Sequence, residues 1–491
     1  MSSVQRSILF SASERYGSVL LFIVATAILS RLLSPQEFGV FAVVNAVTAV
    51  IAASFQEFGG PNYLIQKREL SPRDVGSAFT ITFGISVAIA LLLFVLAHTL
   101  SQVFGQNNLQ RGIEVSALNF LVTPISGTIS ALLRRDMKFG ALAVCNLTAG
   151  VVTASVSVVL AMAGFSYMAP IWGGLAGSIV LALALLASHR DLGALRPSLL
   201  EYREIVNFGL YSSGVSLINV FYNLAPQLLL ARILDFGSVG LYSRATNLTQ
   251  AFERLVTQVL NPVVMPAIVA QRRAGADLKA VYLEAVQLLS VVQWPFLTFI
   301  AIMARPIILL WLGETWLEIV PLVRFLCIAN LALFAACLTY PVFLAVGGVR
   351  DALVSSLISL PPSLLVILCA SFFGVEAVAA SALVTLPFQA AVAIHFLRRH
   401  LAFRPGEFVG SLLKSGLVTV GTASGVWACA ALTEAGALAS LTGMVLSLVV
   451  AAFCWWCGLV FTGHPLLHQV RHAARDLVRI APGLRPSRPA L

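Results

Sequence analysis

Charge is scarce along this chain. Only 11% of its 491 residues are charged, whereas 59% are hydrophobic, and the mean hydropathy is +0.92. A soluble globular protein needs more polar surface than this composition supplies. The composition therefore excludes a soluble fold and predicts a protein embedded in a lipid bilayer. The short alternating strands of a membrane β-barrel are also missing, so the predicted spans are helices.

Signatures of metal, redox and nucleotide chemistry are missing as well. The seven cysteines are scattered, and the pair Cys454 and Cys457 lies in an apolar segment without a second pair, which favours packing over metal binding. His464, His468 and His472 have the spacing of one helical face, but their basic, proline-containing surroundings favour solvated side chains. The sequence contains no Walker phosphate loop, which argues against an ATP-driven pump. We therefore expect no catalytic residues, no metal and no cofactor.

Long apolar segments are what the chain does have. A helix needs roughly 20 apolar residues to cross the hydrocarbon core of a bilayer. The sequence accordingly predicts an all-α polytopic membrane protein with about 14 transmembrane helices, or 12 if one closely linked pair is lost. The spans are placed at 13–33, 37–58, 77–100, 112–133, 139–163, 167–187, 205–231, 237–262, 281–304, 318–346, 352–373, 375–397, 409–432 and 436–461.

Lysine and arginine residues give these spans an orientation. Such residues are retained on the cytoplasmic side of a membrane. Of the 31 in this chain, only Arg31, Arg111, Arg232, Arg305 and Arg324 fall at the opposite ends of the spans. Both termini are therefore predicted to be cytoplasmic, and the net charge of +10 is explained by this bias rather than by nucleic-acid binding. No convincing signal-cleavage site is present, so we expect the first span to be retained.

An internal repeat divides the chain. The segment Arg31-Leu-Leu-Ser-Pro-Gln-Glu-Phe-Gly-Val-Phe41 matches Arg232-Ile-Leu-Asp-Phe-Gly-Ser-Val-Gly-Leu-Tyr242 without a gap, and the same offset of 201 residues relates Pro61 to Pro262. Because both copies pass from one span into the next in the same direction, the repeats are parallel rather than inverted. This predicts an N-terminal bundle at 1–200, a second-repeat bundle at 201–400, two additional helices at 401–463 and a basic cytoplasmic tail at 464–491.

Short motifs along the chain resemble one family. The first repeat motif, Tyr63-Leu-Ile-Gln66 and Leu133-Arg-Arg-Asp-Met-Lys-Phe139 are similar to the polysaccharide exporter, or Wzx-like O-antigen flippase, family of the MOP (multidrug/oligosaccharidyl-lipid/polysaccharide) superfamily. The resemblance covers nearly the whole chain. Later motifs follow in the expected order: Phe208-Gly, Gly240-Leu-Tyr-Ser-Arg-Ala245, Pro262-Val-Val-Met-Pro266, Leu312-Gly-Glu-Thr-Trp316 and Val346-Gly-Gly-Val349.

This resemblance implies a flippase of the bacterial inner membrane. Its implied cargo is undecaprenyl-diphosphate-linked oligosaccharide for exopolysaccharide, capsule or O-antigen, carried by alternating access through a central cavity. Implied partners are the lipid-linked oligosaccharide, membrane lipids, and the polysaccharide polymerase with its chain-length and export machinery. Where many members carry Asp or Asn in the seventh span this chain has Pro226, which leaves the coupling ion open.

Two alternatives to this cargo remain open. One is another MOP-type transporter, either a drug antiporter or a flippase for the peptidoglycan lipid precursor. The other is a multispan polysaccharide polymerase or ligase. An enzyme of that kind normally carries its catalytic groups on a sizeable extracytoplasmic loop, whereas no such loop here exceeds about 20 residues. The sequence therefore disfavours an enzyme.

Arg244 and Arg254 are predicted to lie deep in the eighth span, with Glu253 beside them. An Arg at the bilayer centre costs about 2.5–3.5 kcal/mol on insertion scales, so each needs a partner or water. Ten residues of helix correspond to about 15 Å and a rotation of roughly 80°, so both can face one cavity, where Arg suits bidentate phosphate binding. The alternatives are an ion pair for Arg254 and an interfacial position of the guanidinium for Arg244.

Further polar residues complete the predicted cavity. Arg324 lies near the outer end of the tenth span, where structural anchoring is the alternative role. Asn45, Asn223, Gln227 and Asn247 are candidates for hydrogen bonds to sugar hydroxyls, or for bonds between helices. Prolines inside spans are expected to kink or break them: Pro124, Pro226, Pro295, Pro341 and Pro387.

Overall fold

All regular secondary structure in the described part of the chain is helical. Eleven of its helices are long and apolar enough to cross a membrane, so the predicted all-α multi-pass membrane fold is confirmed. The count of fourteen stays a prediction, because the spans at 205–231, 237–262 and 318–346 lie only partly within the described residues. The computed structural model describes residues 3–53, 63–65, 67, 70–188, 197–198, 218, 220–251, 277–332, 342–343, 349–434, 440–467 and 469.

The chain forms two compact units. The first comprises Met1–Leu260, Trp311–Leu322 and Leu360–Ala382, and the second comprises Asn261–Leu310, Val323–Ser359 and Leu383–Leu491. The four regions derived from the repeat remain a prediction.

The α-helices are α1 (Ser3–Leu32), α2 (Pro35–Ala53), α3 (Pro72–Val103), α4 (Asn108–Arg135), α5 (Phe139–Met162), α6 (Met168–Ser188), α7 (Phe236–Thr249), α8 (Leu278–Ile302), α9 (Ala304–Trp311), α10 (Val320–Asn330), α11 (Val349–Ser371), α12 (Val375–Leu401), α13 (Pro405–Glu434) and α14 (Ser440–Thr462). Residues 220–233 are also helical, and Glu314–Ile319 form a 3-10 helix.

Side chains at equivalent positions of the repeat fix the starts of α2 and α7. The Ser34 hydroxyl accepts a hydrogen bond from the Glu37 N–H at 3.3 Å, and the Glu37 carboxylate accepts one from the Ser34 N–H at 2.7 Å. Asp235, which corresponds to Ser34, accepts from the Ser238 N–H at 2.8 Å. These caps satisfy N–H groups that the first turn of a helix leaves unpaired. The two helices therefore start at corresponding positions.

Prolines inside the spans do not break them. Pro124 lies within α4, Pro295 within α8 and Pro387 within α12, and each helix continues beyond its proline. Pro226 likewise lies within a continuous helical segment. The helices are therefore not broken at these four positions, and a kink at any of them stays a prediction. Ending a helix inside lipid would leave several backbone groups unpaired, whereas continuing it sacrifices only the bonds near the proline. Pro341 lies outside the described residues.

Small residues allow α5 and α6 to pack closely. A Cβ atom at Gly173 would collide with the Ser157 side chain, and one at Gly177 would collide with the Thr153 hydroxyl. The Ser157 hydroxyl donates to the Thr153 carbonyl at 2.7 Å, and the Thr153 hydroxyl donates to the Ala149 carbonyl at 2.9 Å. Because lipid is as apolar as the helix surfaces, close van der Waals packing of this kind is what holds neighbouring spans together.

We expect Gly177→Ala to lower the melting temperature of the purified protein in detergent, because overpacking a close contact costs about 1–3 kcal/mol. Gly174→Ala is the matched control, since it lies on the same helix and nothing is found within 4 Å of a Cβ built there. The control should melt at or above the parent temperature. Equal melting temperatures for the two variants would contradict the close packing at Gly177.

A buried histidine follows α14 in the second unit. Gly463 has a φ of +55°, and the His464 side chain after it is fully buried. Its Nδ1 accepts a hydrogen bond from the Leu466 N–H at 3.2 Å, while its Nε2 lies 3.3 Å from the Ser415 Oγ. A neutral ring with its proton on Nε2 satisfies both contacts, because Nδ1 must remain an acceptor.

Burial therefore decides the protonation of this ring. It lowers the pKa of His464 to about 4, and the nearby Lys414 ammonium lowers that pKa further in the same direction. The sequence-based expectation of a solvated side chain is wrong for His464. The reason is the turn at Gly463, which returns the chain toward α13 and is not evident from the spacing of the histidines. His468 and His472 lie outside the described residues.

Acid should destabilise the protein through His464. The unfolded imidazole takes up a proton near pH 6.5 and the folded one only near pH 4. The contribution of His464 to the free energy of unfolding is therefore full above pH 6.5 and is lost as the pH falls to about 4. In a series of thermal melts, His464→Gln should reduce this loss. His98→Gln, at an exposed histidine of α3, should keep the parent profile. An unchanged profile for His464→Gln would rule out this histidine as the cause.

Candidate functional site

A cavity of about 590 Å³ lies within the first unit. Residues of α1, α2, α5, α6, α7 and the helical segment 220–233 line it, and most of them are apolar. Within the described chain, no cluster of three or more His, Cys, Asp or Glu is arranged to hold a metal ion. Arg244 is the only charged residue among the described lining residues. The polar lining residues are Ser18, Thr26, Asn45, Thr153, Ser157, Gln227, Ser243, Arg244 and Asn247.

Four of the residues singled out in the sequence meet in this cavity. Asn45 projects from α2, Gln227 from residues 220–233, and Arg244 and Asn247 from α7. Arg244 and Asn247 are three residues apart, so they share one face of their helix. The structure thus brings one cation and three carboxamides to one space. Their role in binding remains a prediction.

Of the other four candidates, two lie apart from this group and two fall outside the described residues. Asn223 is exposed and is not among the lining residues, although it stands one helical turn before Gln227. Arg324 belongs to the second unit, where it is exposed and its Nε donates to the Ala301 carbonyl at 3.4 Å. Glu253 and Arg254 lie outside the described residues.

Arg244 is held against aromatic rings. Its side chain is buried, with 6% exposure. The guanidinium carbon lies 3.5 Å from the centre of the Phe38 ring and 5.7 Å from the centre of the Trp316 ring. A desolvated contact between a cation and a ring face contributes about 2 kcal/mol. The guanidinium is therefore held inside the unit and not on its surface.

No anion neutralises Arg244 within the described residues. None of the carboxylates placed there forms an ion pair with it, and its buried Nε has no hydrogen-bond partner among those residues. A buried charge is costly unless it is paired or solvated. Arg244 therefore presents at the wall of the cavity a cation that no carboxylate of the described residues neutralises.

Phe38 and Trp316 form the aromatic support of this arginine. Their ring centres are 5.5 Å apart in an edge-to-face arrangement. The fully buried Trp316 donates from its indole N–H to the Ser30 carbonyl at 2.7 Å, which fixes the indole against α1. Reasoning from the sequence missed both residues as parts of the site. Each lies inside a motif that carries the family resemblance, and that was the available signal.

Solved structures share the fold of this chain. The lipid II flippase MurJ, in an inward closed conformation, aligns with a TM-score of 0.76 over 92% of this chain and 98% of its own, at 11% identity. An inward-facing multidrug resistance MATE family transporter of the MOP superfamily aligns with a TM-score of 0.64 over 80% of this chain and 98% of its own, at 14% identity. Identities this low support the fold alone. They define a polytopic helical membrane protein with the MOP flippase fold.

A family model described as "Polysaccharide biosynthesis protein" matches residues 28–321. The match covers more than half of the chain, and the chain belongs to this family. The predicted relationship to the polysaccharide exporters is therefore confirmed.

Two relatives carry more specific names. Lipopolysaccharide biosynthesis protein WzxC of Escherichia coli (strain K12) is 24% identical over 311 residues, which cover 63% of each protein. Succinoglycan biosynthesis transport protein ExoT of Rhizobium meliloti (strain 1021) is 24% identical over 343 residues, which cover 69% of this chain and 68% of ExoT. The chain thus spans slightly less than two thirds of the length of WzxC.

Replacing Arg244 by Leu should leave the melting temperature in detergent equal to or slightly above that of the parent. The change removes a burial cost of about 2.5–3.5 kcal/mol and loses an aromatic contact of about 2 kcal/mol. Trp316→Ala is the comparison, because emptying a fully buried site of this size typically costs about 3–5 kcal/mol. A large loss of stability for Arg244→Leu would indicate that the arginine is a structural residue.

Proposed function

We propose that this multi-pass membrane protein is a flippase for undecaprenyl-diphosphate-linked oligosaccharide. It moves the repeats across the bacterial inner membrane for the synthesis of exopolysaccharide, capsule or O-antigen. Membership of the family and the names of WzxC and ExoT support this assignment. In this proposal both termini are cytoplasmic, and the repeats pass to a polysaccharide polymerase with its chain-length and export machinery.

The buried guanidinium of Arg244, which pairs with no carboxylate among the described residues, is the observation that carries the proposal. A diphosphate is strongly anionic, and its oxygens match the planar fork of Arg donors. Inside a protein the effective dielectric constant is lower than in bulk water, so such a pair is stronger there than at a protein surface. Arg244 thus supplies the cation that the head group of the lipid-linked cargo requires. The head group in turn supplies the anion that no described residue supplies to Arg244.

The remainder of the cavity suits a sugar. Asn45, Gln227 and Asn247 offer amide donors and acceptors in the same cavity as Arg244. Hydroxyl groups of α1 and α5 also line this cavity. A volume of about 590 Å³ lies within the range of ligand pockets that enclose drug-sized molecules. The cavity therefore accommodates part of an oligosaccharide head group, while the polyprenyl chain stays in lipid.

The remaining candidates from the sequence are not among the described lining residues, and we propose roles for them as well. Arg254, with Glu253 as its neighbour, is proposed as a second cationic group of the cavity. Asn223 and Arg324 are proposed to contact cargo beyond this cavity. Each role is separable from that of Arg244 by single substitution.

Other assignments are less well supported. A cationic drug is disfavoured because Arg244 repels it. The peptidoglycan lipid precursor carries the same diphosphate, so its transport is an outcome that the experiment below must distinguish. A polymerase or ligase is disfavoured because ExoT is named as a transport protein and the two solved structures described above are named as a flippase and a transporter.

Arg244→Ala should lower export about tenfold or more without lowering the amount of protein in the membrane, since a hydrogen bond to a charged group contributes about 1.5–3 kcal/mol. The measurement is made in the host strain that lacks the chromosomal copy, by quantifying surface polysaccharide and lipid-linked repeats. Arg232→Ala is the matched control, because Arg232 is exposed and lies just before α7. It should export at the parent rate.

Three results separate the test of the cargo from the test of Arg244. If deletion of the gene leaves lipid-linked repeats at their normal level on the cytoplasmic face, the proposed cargo is rejected. If deletion instead raises the peptidoglycan precursor there, that precursor is the cargo. Full export by Arg244→Ala rejects the role of this residue and leaves the cargo standing. Arg244→Lys then separates charge from shape, because Lys keeps the charge and lacks the planar fork.

A further inference from the structure

The backbones of α2 and α7 touch near their first turns. A Cβ atom at Gly39 would collide with the carbonyl oxygen of Phe236, and one at Gly240 would collide with the carbonyl oxygen of Pro35. The separation between the helices is therefore too small for any side chain at either glycine. We call this contact, formed by Pro35, Gly39, Phe236 and Gly240, the glycine crossing.

The internal repeat relates the α2 residues of the glycine crossing to its α7 residues. The offset of 201 residues relates Pro35 to Phe236 and Gly39 to Gly240. Gly39 therefore meets the counterpart of Pro35, and Pro35 meets the counterpart of Gly39. This is the pattern of an isologous contact across a two-fold axis, in which residue i meets j and j meets i. The crossing is thus the place where equivalent helices of the two repeats meet.

The crossing lies at one end of the cavity. Along α1 the lining residues end at Leu29, shortly before the turn into α2. Along α2 they begin at Phe38, and along α7 they begin at Ser243. On α7 the crossing residues precede the lining, and on α2 they flank Phe38, so the glycine crossing borders the lining on the side of the turns that precede α2 and α7.

The aromatic contact of Arg244 spans this crossing. Phe38 precedes Gly39 on α2, and Arg244 follows Gly240 by about one turn on α7, with 3.5 Å between the guanidinium carbon and the ring centre. Separating α2 from α7 at the crossing would withdraw Phe38 from Arg244. The cation would then require another partner, because no described carboxylate pairs with it.

We propose that the glycine crossing closes this end of the cavity and that the contact between Phe38 and Arg244 holds it closed, so that an anion bound at Arg244 favours opening. A ligand shifts such an equilibrium only through different affinities for its two states. Phosphate oxygens that replace the Phe38 ring on Arg244 supply that difference. The anion step rests on the proposed function, whereas the closure does not.

Labelling of a cysteine placed in the cavity tests the closure. Ala154 lines the cavity from α5, away from the crossing, and Ala154→Cys is treated with a membrane-impermeant maleimide in right-side-out spheroplasts. The same protein without this change gives the background from the seven native cysteines. Adding Gly39→Ala or Gly240→Ala should raise the labelling rate about tenfold or more, because the new methyl group overpacks the closed contact.

Gly84→Ala is the matched control for these variants. Nothing lies within 4 Å of a Cβ built at Gly84 on α3, so the control should label at the parent rate. Labelling of both crossing variants at the control rate would overturn the proposal. A rise seen only in inside-out vesicles would support the closure and reject the proposed orientation of the chain.

Two substitutions at Phe38 test the aromatic contact without touching a glycine. Phe38→Leu keeps an apolar side chain and loses the ring, so it should raise the labelling rate of Ala154→Cys. Phe38→Tyr keeps the ring face and should restore the parent rate. Equal labelling of the two variants would show that bulk, and not the contact with the cation, matters at this position. Neither measurement requires the cargo, so either result is independent of the proposed function.

Discussion

Arg244 is buried and pairs with no carboxylate of the described residues, and this cation constrains the packing around it. Arg244 costs about 2.5–3.5 kcal/mol at the depth of a bilayer, and the ring of Phe38 returns about 2 kcal/mol. The balance must come from polar side chains and water that reach the guanidinium. An open cavity beside α7 is therefore a condition for retaining this residue, and the amides of Gln227 and Asn247 lie in that cavity because polar groups there lower the same cost.

Close approach of backbones sets the shape of the cavity. Spans in lipid gain no hydrophobic energy from touching each other, so they associate where small residues permit dense packing. Gly39 and Gly240 give such a contact at one end of the cavity, and Gly173 and Gly177 give another between α5 and α6. The four helices that make these contacts all contribute residues to the lining of the cavity that Arg244 faces. The glycines and the arginine are thus parts of one arrangement.

The sequence was sufficient for the features that depend on local chemistry. Hydropathy gave the helical membrane fold, and the cost of burying charge singled out Arg244. It was insufficient where the outcome depends on which helix faces another. Phe38 and Trp316 are ordinary apolar residues until the fold brings them to Arg244. Asn223 looked equivalent to its neighbours in sequence, but its place on the helix leaves it outside the lining.

The two-fold relation at the glycine crossing is broken by one pair of side chains. Phe38 contacts Arg244, while the positions related to them by the offset of 201 residues hold Val239 and Val43, both fully buried. A symmetric crossing would place two arginines in one lining, which doubles the burial cost before any anion arrives. With one arginine, an anionic group has a single place to bind and the attached sugars have a single direction to extend. The repeat therefore supplies the closing contact, and the difference between its copies supplies the charge.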